Sequence, residues 1–586
     1  MEVESPEAAQ AAVLRVGGSG STAENQTPPH SIASLTSRRG CASCGGTRGA
    51  GSQRLKGELL QLSRVSLCMV RTAPILARSA AAILLVAAMI GLAACHGMIA
   101  GSSAPSQPTA PKEGQLLQSP QTTGAYSVSD LLSMLSGNSD AAQLLKLTFA
   151  PFCSVDVYHM EYATVGGQGE PTTASGAIMV PGGVDPSCQG ARPVVLYAHG
   201  TSTDKAYNIA DISSNSEGEL LAAVFAAQGY IVVAPNYAGY DTSTLTYHPY
   251  LVADQQSHDM MDALTAARSA FSSVGATASN KLFVTGYSQG GYVALATLRA
   301  MQAAGMSVTA AGPMSGPYAL SAFADAIFMG EVDGGATINF TMVVSAYQHS
   351  YGNVYSKPTD VFSPQYATNI ASLLPATTSR SNLYAQGLLP QYALFSNTPP
   401  APQYASMTPA TTPANLAPVF AQGFGPSPLI TNAYRLSYLQ DAQAHPDGGF
   451  PNTTNDMPPS SPGNGLRQDL AKNDLRDFDP TVPVLLCGGD SDPEVFYLNT
   501  QLMQGYWAAH DPSAQVTVLD VDSAVGPSDP YAAIKDGFHA AKAAVAVAAV
   551  AGGATDGGAS AVLEDYHAGL VPPFCLYAVE QFFGKY

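Results

Sequence analysis

The chain has 586 residues, of which 46% are hydrophobic and 12% are charged. This composition excludes an intrinsically disordered protein and allows a large packed core. The formal net charge of −18 and the lack of a Lys- or Arg-rich run exclude nucleic acid as a partner, because phosphate binding needs clustered positive charge.

An export signal is predicted at residues 69–94. Two arginines precede an apolar stretch that is shorter than the roughly 20 residues of a membrane-spanning helix, and the stretch ends in small residues before Cys95. These are the three parts of a secretory signal peptide. Because signal peptides begin at the N-terminus, we expect translation to start at Met69, and residues 1–68 to be absent from the exported protein.

The sequence Leu-Ala-Ala-Cys at residues 92–95 resembles the bacterial lipobox, whose cysteine becomes the lipidated first residue of the mature chain. The resemblance implies a lipid anchor at Cys95. Because His96 is not an aspartate, it also implies release to the outer membrane of a Gram-negative bacterium. A periplasmic or secreted protein, or an uncleaved anchor, is the alternative. Residues 95–125 are rich in Ser, Pro, Gln and Thr, which predicts a flexible tether.

The cysteines after this tether are Cys153, Cys188, Cys487 and Cys575. In an oxidising compartment they allow three pairings, and the sequence alone does not choose among them. We expect Cys153 to pair with Cys188, since the two bracket a predicted hairpin. We expect Cys487 to pair with Cys575, since they bracket the C-terminal catalytic region. Reduced structural thiols are the alternative.

Strand and helix patterns alternate from about residue 155 onward. Several strand-like runs are hydrophobic throughout, as expected where both faces of a sheet are covered. The alternation predicts an α/β fold, with a mostly parallel sheet flanked by helices. The predicted strands are 156–164, 173–180, 193–198, 231–235, 282–286, 307–313, 482–487 and 515–520. The predicted helices are 217–228, 254–273, 289–304 and 495–510.

The alternation stops in residues 318–478, where Tyr, Pro, Asn, Ser and Thr are abundant. Short helical runs at 338–350 and 379–395 are separated by proline-rich turns. A structureless loop of this length is implausible in a compact domain. We therefore predict a mainly helical cap, inserted between the sixth and seventh strands of a catalytic domain that comprises residues 126–317 and 479–586.

The strongest motif is Gly286-Tyr-Ser288-Gln289-Gly290, a G-x-S-x-G sequence between a predicted strand and a predicted helix. In this context, small residues on either side of Ser288 let the backbone turn sharply and present the hydroxyl at the helix N-terminus. A serine hydroxyl is a poor nucleophile at neutral pH. It therefore needs a histidine base and a carboxylate that orients this base, in the chain order Ser, acid, His.

The acid is expected in the loop after the strand 482–487, because active-site residues follow the carboxyl ends of parallel strands. Asp492 is favoured in the sequence Gly489-x-x-Asp492-x-x-Val495. Asp490 is the second choice, and Glu494 also competes.

Three histidines follow this loop and compete as the base. His567 is favoured, because it lies on a predicted loop before the last helix. His539 is the second choice, since it lies in an Ala-rich helical stretch where a packed or solvated histidine is more common. His510 ends a predicted helix at the wrong edge of the sheet. Only geometry decides which of them reaches the nucleophile.

The oxyanion of an acyl-transfer reaction needs backbone N–H donors. One donor is expected from Gln289, which follows the nucleophile. The other is expected from Thr201, in the loop after the third strand, where Gly200 allows the backbone to approach the substrate. His199 in this loop is interpreted as shaping the loop rather than as a base.

These motifs resemble bacterial α/β-hydrolases of the secretory lipase and esterase family, from about residue 150 to the C-terminus. The resemblance is carried by His199-Gly-Thr, Pro235-Asn-Tyr-Ala-Gly-Tyr, the Ser288 motif and the Asp492 loop. It implies hydrolysis of a small-molecule or lipid ester through an acyl-enzyme on Ser288, without a metal or organic cofactor.

Two other functions remain open. A serine exopeptidase of the prolyl-aminopeptidase type uses the same fold and triad. Such an enzyme usually holds the substrate amine with carboxylates of the cap, and the small number of Glu residues in 318–478 favours an ester. A non-catalytic surface lipoprotein that kept the fold would be expected to lack a catalytic residue, whereas all three candidates are present in the right order.

Overall fold

The computed structural model describes most of the chain after residue 110, in the ranges 111–138, 142–147, 149–451 and 457–586. The predicted extension 1–68, the predicted signal 69–94, Cys95 and the first part of the predicted tether lie outside the described residues.

Eleven strands are present in the described ranges, and nine of them form one sheet. In chain order the strands are β1 Gln121–Tyr126, β2 Ser154–Val165, β3 Pro171–Gly182, β4 Arg192–Ala198, β5 Ile231–Pro235, β6 Ala278–Tyr287, β7 Ala310–Met314, β8 Phe395–Ser396, β9 Phe424–Gly425, β10 Val484–Gly488 and β11 Val516–Asp520.

The α-helices of the described ranges are α1 Val128–Gly137, α2 Ala142–Leu145, α3 Ser216–Val224, α4 Ala253–Ala270, α5 Gln289–Ala303, α6 Leu320–Met329, α7 Ala336–Tyr351, α8 Pro364–Ala367, α9 Arg380–Ala385, α10 Ala417–Gln422, α11 Asn432–Ala444, α12 Gly465–Asn473, α13 Leu498–His510, α14 Ala532–Ala551, α15 Ala559–Asp565 and α16 Val571–Phe583. None of these helices combines the length and apolar character needed to cross a bilayer.

The large sheet has the strand order β1-β2-β3-β5-β4-β6-β7-β10-β11. Its first three pairings are antiparallel, and the five from β5 to β11 are parallel. Strands β5, β7 and β10 are buried along their whole length, because helices α4 and α5 cover one face and α3, α14 and α16 the other. The predicted α/β-hydrolase fold class is therefore confirmed.

The chain joins the sheet before the end of the predicted tether, so the boundary at residue 125 is wrong. Residues Gln121–Tyr126 form β1, which pairs antiparallel with β2. An edge strand needs few apolar side chains, since its backbone groups pair on one side and its side chains remain largely in solvent. The polar composition of this segment therefore concealed a strand.

The segment between β7 and β10 contains helices α6 to α12 and the short parallel pair β8–β9. Two buried ion pairs fasten it: Arg467 to Asp325 at 2.8 Å and Arg476 to Asp447 at 2.6 Å. The predicted helix 379–395 is shorter than expected. It is reduced to α9, because Gly387 adopts a left-handed φ of 66° soon after the helix end.

Both disulfide pairings expected from the sequence are present. Cys153 is bonded to Cys188, and Cys487 is bonded to Cys575. The second bond joins the end of β10 to α16, across a sequence separation of 88 residues. It therefore ties the strand that precedes the predicted acid to the helix that follows the predicted base.

Candidate active site

Ser288 lies on a sharp turn between β6 and α5. Its backbone has φ 59° and ψ −123°, a strained conformation that a non-glycine residue rarely adopts. A Cβ at Gly290 would lie 1.9 Å from the carbonyl oxygen of Ala198, and one at Gly286 would lie 2.3 Å from the carbonyl oxygen of Gly290. The turn is therefore possible only because both positions lack a side chain.

The structure brings Ser288, His567 and Asp492 into one chain of hydrogen bonds. The Ser288 Oγ is 2.8 Å from Nε2 of His567, and Nδ1 of His567 is 2.7 Å from Oδ2 of Asp492. Because Asp492 Oδ2 only accepts hydrogen bonds, Nδ1 carries the proton and Nε2 is free to accept the one from the Ser288 hydroxyl. This is the geometry of an activated serine nucleophile.

The Asp492 carboxylate is itself held in place. It is 1% exposed, and its Oδ1 accepts the backbone N–H groups of Glu494 and Val495 at 2.9 and 3.0 Å. Its other oxygen is therefore directed at His567, as the spacing around Gly489 led us to expect.

His567 lies in a π-helical turn, Tyr566–Leu570, and not on the loop that the sequence predicted. This turn is continuous with α16, whose Pro572 and Pro573 lack the N–H groups needed for regular helical bonds to preceding carbonyls. The hydroxyl of Tyr287 donates a 2.5 Å hydrogen bond to the carbonyl of His567. A π turn of this kind is common at functional sites, and here it directs the imidazole toward Ser288.

Burial disfavours a charged imidazolium, but the adjoining carboxylate of Asp492 outweighs burial and raises the pKa of His567 to about 9. The more distant carboxylates of Glu494 and Asp333 raise this pKa further. The site is thus built to stabilise the imidazolium that forms when His567 accepts a proton.

The second-choice residues lie elsewhere. Nε2 of His539 donates to the backbone carbonyl of Asp522 at 3.0 Å. Asp490 is exposed, and its backbone N–H donates to Asp520. His510 is bonded through Nδ1 to the carbonyl of Tyr506, at the end of α13. The structure therefore does not bring these three candidates to Ser288.

The two predicted oxyanion donors flank the nucleophile. Gln289 is the first residue of α5, so its backbone N–H has no partner one helical turn before it. Thr201 lines the same cavity as Ser288. The N–H of Gly200 donates to the carboxylate of Glu217 at 3.0 Å and is not free for an oxyanion, which is consistent with Thr201 as the expected donor of this loop.

Two residues that position this loop, Glu217 and His199, were missed by the sequence reasoning or only partly understood. Glu217 is a half-buried carboxylate that also accepts the hydroxyl of Tyr197 at 2.7 Å. His199 is stacked between Tyr207 and Tyr237, with ring centroids 4.2 and 4.1 Å away, and burial lowers its pKa to about 4. Its place in the interior agrees with a loop-shaping role. No sequence pattern marks Glu217.

A cavity of about 390 Å³ opens at Ser288 and extends beneath the cap. Its apolar wall comes from α6, α7 and α12 of the cap, and its polar wall includes Asp333 and Glu494. The apolar side chains are Phe323, Ile327, Phe328, Phe340, Val343 and Leu470. The volume lies in the range of small-molecule sites.

Within the described ranges, no group of three or more His, Cys, Asp or Glu side chains is arranged to hold a metal ion.

Comparisons with known proteins agree with this fold. The prolyl oligopeptidase family profile matches residues 218–334, a range that includes Ser288. The rice cell wall degrading esterase LipA from Xanthomonas oryzae is 25% identical, with a TM-score of 0.58 over 80% of this chain and 98% of that one. A Legionella pneumophila protein solved as a proposed hydrolase is 19% identical, with a TM-score of 0.55 over the same shares, and shows the fold alone.

The comparison with curated proteins found no match.

The fold and its similar structures define the chain as a member of the α/β-hydrolase class. Within that class it is a serine hydrolase.

The raised pKa of His567, about 9, sets the acid limb of kcat/KM. Only the neutral imidazole accepts the Ser288 proton, so we expect kcat/KM to fall about tenfold per pH unit below this pKa.

Asp492→Asn removes the charge that raises the pKa of His567, so the acid limb of this variant moves to lower pH while the rate falls about 10⁴-fold. Asp490→Asn, in the same loop, is the matched control with an unchanged profile. An acid limb that Asp492→Asn leaves in place would contradict the assignment.

Proposed function

We propose that the protein hydrolyses carboxylic esters through an acyl-enzyme on Ser288. The observation that carries this proposal is the hydrogen-bonded series from Ser288 through His567 to Asp492, with spacings of 2.8 and 2.7 Å. The similarity to an esterase at 25% identity over 98% of that protein's length supports an ester rather than another acyl compound.

In the proposed reaction, Ser288 Oγ attacks the ester carbonyl carbon while its proton passes to Nε2 of His567. Asp492 stabilises the resulting imidazolium. The N–H groups of Gln289 and Thr201 hold the oxyanion of the tetrahedral intermediate. His567 then returns the proton to the alcohol oxygen as the C–O bond breaks, and water repeats the sequence to release the acid and regenerate Ser288.

The apolar wall formed by the cap provides a site for the acyl chain. Side chains of α6 and α7 such as Phe323, Phe328 and Phe340 lie on this wall. Burial of each methylene group in such a pocket contributes about 0.8 kcal/mol. A bounded cavity gains this free energy only up to the chain length that it holds. The rate is therefore expected to depend on acyl length.

A series of p-nitrophenyl esters of increasing acyl length tests the proposal, with the unmodified protein and its Ser288→Ala variant. We expect one preferred length in the unmodified protein and a loss of about 10⁵- to 10⁶-fold in Ser288→Ala, because the nucleophile is removed. Ser491→Ala, at a half-buried serine of the acid loop, is the matched control with unchanged rates. Equal rates in the Ser288→Ala variant would contradict the proposal.

A second function, cleavage of peptides with a free amine, is favoured by one observation. Asp333 of the segment inserted between β7 and β10 is 6% exposed and lines the cavity together with Glu494. Burial raises the pKa of Asp333 to about 7, and the nearby Glu494 carboxylate adds to the rise. A protonated amine bound between these two carboxylates would offset both the burial of a charged Asp333 and its repulsion by Glu494. The match to the prolyl oligopeptidase family at residues 218–334 points the same way.

Aminoacyl p-nitroanilides distinguish this second function, when each is compared with its N-acetylated form. If the amine is recognised, Asp333→Asn raises KM for the free-amine substrate alone, because only that substrate carries the complementary charge. The N-acetylated substrate is the internal control. If neither anilide is cleaved in a reaction that depends on Ser288, the peptidase function is excluded.

We also propose that the protein is exported and anchored by a lipid on Cys95. Two disulfides, Cys153–Cys188 and Cys487–Cys575, support an oxidising compartment, where such bonds persist. Mass spectrometry of the membrane-bound protein should identify a lipid-modified N-terminal peptide that begins at Cys95, and Cys95→Ala should release the protein from the membrane. A mature N-terminus elsewhere, without lipid, would contradict the anchor.

A further inference from the structure

The loop of residues 236–252, between β5 and α4, contacts both residues that are predicted to supply the oxyanion donors. It is unusual in two respects. Its Tyr237, Asp241 and Leu251 have positive φ values of 66°, 47° and 54°, and most of its residues are buried. Backbone strain of this kind persists only where the surroundings enforce it, and it is concentrated at functional sites.

Three tyrosine hydroxyls of the 236–252 loop contact the segment 199–202, which contains Thr201. Tyr237 donates to the carbonyl of His199 at 3.0 Å, and Tyr240 donates to the carbonyl of Ser202 at 2.6 Å. The hydroxyl of Tyr250 lies 2.9 Å from Oγ1 of Thr201. The backbone carbonyls of His199 and Ser202, on either side of Thr201, and the Thr201 side chain are thus held by this loop.

The same loop reaches the other donor through His248. Nδ1 of this buried imidazole is 2.9 Å from the carbonyl oxygen of Ala238, and Nε2 is 2.8 Å from Nε2 of Gln289. A carbonyl only accepts, so Nδ1 carries the proton. Nε2 of a neutral ring then accepts from the Gln289 amide. Burial lowers the pKa of His248 to about 3, which favours the neutral ring that this contact requires.

This arrangement leaves Oε1 of Gln289 buried without a hydrogen-bond partner among the residues that the structure describes. A buried unsatisfied carbonyl destabilises the fold. Among the described residues, the contact to His248 is therefore what holds the side-chain amide of Gln289. The backbone N–H of Gln289 is the predicted oxyanion donor, and its nitrogen is bonded to the Cα atom that carries this side chain.

We propose that His248 is a positioning residue, which fixes Gln289 through its side-chain amide so that the 236–252 loop sets both halves of the oxyanion hole. This inference rests on the proposed acyl-transfer function at Ser288. His248 does not touch the substrate. It acts by holding the Gln289 N–H at the distance that the transition state requires, and a small displacement of such a donor lowers the rate strongly.

Kinetics of three variants test the proposal: His248→Phe, Gln289→Met and the double variant. Phenylalanine keeps an aromatic ring beside Tyr240 but removes both ring nitrogens, and methionine keeps the backbone N–H but removes the side-chain donor. We expect each single variant to lower kcat about 10- to 100-fold with KM unchanged, because the transition state alone carries the oxyanion. The double variant should lose no more than either single one, since all three break the same contact.

His248→Gln and His258→Phe are the controls. Glutamine restores an acceptor for the Gln289 amide, so we expect it to recover most of kcat. His258 lies on the exposed face of α4, and the same His-to-Phe change there should leave kcat unchanged. Unchanged kcat in Gln289→Met, or losses that multiply in the double variant, would overturn the proposal. If His248→Phe does not fold, Gln289→Met carries the test by itself.

A fluorophosphonate separates failure of this inference from failure of the proposed substrate. In its reaction the bond from Ser288 Oγ to phosphorus forms, the P–F bond breaks, fluoride leaves and the proton passes to His567. The charge that develops on the phosphoryl oxygen needs the same N–H donors. Slower labelling of His248→Phe and Gln289→Met supports the inference even if no ester is cleaved. Labelling at the unmodified rate overturns it.

Discussion

One hydrogen bond, from the Ser288 hydroxyl to Nε2 of His567, joins residues that are 279 positions apart in the sequence. Its 2.8 Å length depends on two independent parts of the fold. The turn after β6 must expose Ser288, which requires glycine at positions 286 and 290. The π turn before α16 must direct the imidazole of His567 toward Ser288. Both parts meet at the carboxyl edge of the parallel strands, where ligands bind in open α/β sheets.

The remaining structure stabilises this contact from several directions. The Cys487–Cys575 disulfide links the strand before Asp492 to the helix after His567, so the acid and base are not free to separate. Glu217 and the 236–252 loop hold the chain around Thr201. The cap lines the cavity with apolar side chains, and a wall of low dielectric strengthens the electrostatic effect of Asp492 on His567.

Much of the fold was predictable from the sequence, and so were Ser288, Asp492 and His567, because these features leave local signals in the sequence. The Gly286-x-Ser288-x-Gly290 spacing is a steric requirement, and hydrophobic runs mark buried strands. β1 and the π turn at His567 left no such signal: β1 is a polar edge strand stabilised by backbone pairing, and the turn depends on prolines that follow it. The contacts of His248 and Glu217 arise only when distant segments pack together, so no sequence spacing could predict them.

A crystal structure of the protein after reaction with an alkyl fluorophosphonate tests the nucleophile and the oxyanion hole most directly. We expect a covalent bond between phosphorus and Oγ of Ser288. Its phosphoryl oxygen should lie within about 3.1 Å of the backbone N atoms of Gln289 and Thr201, with the alkyl chain beneath the cap. A phosphoryl group on another residue, or an oxygen directed away from both N–H groups, would contradict the account.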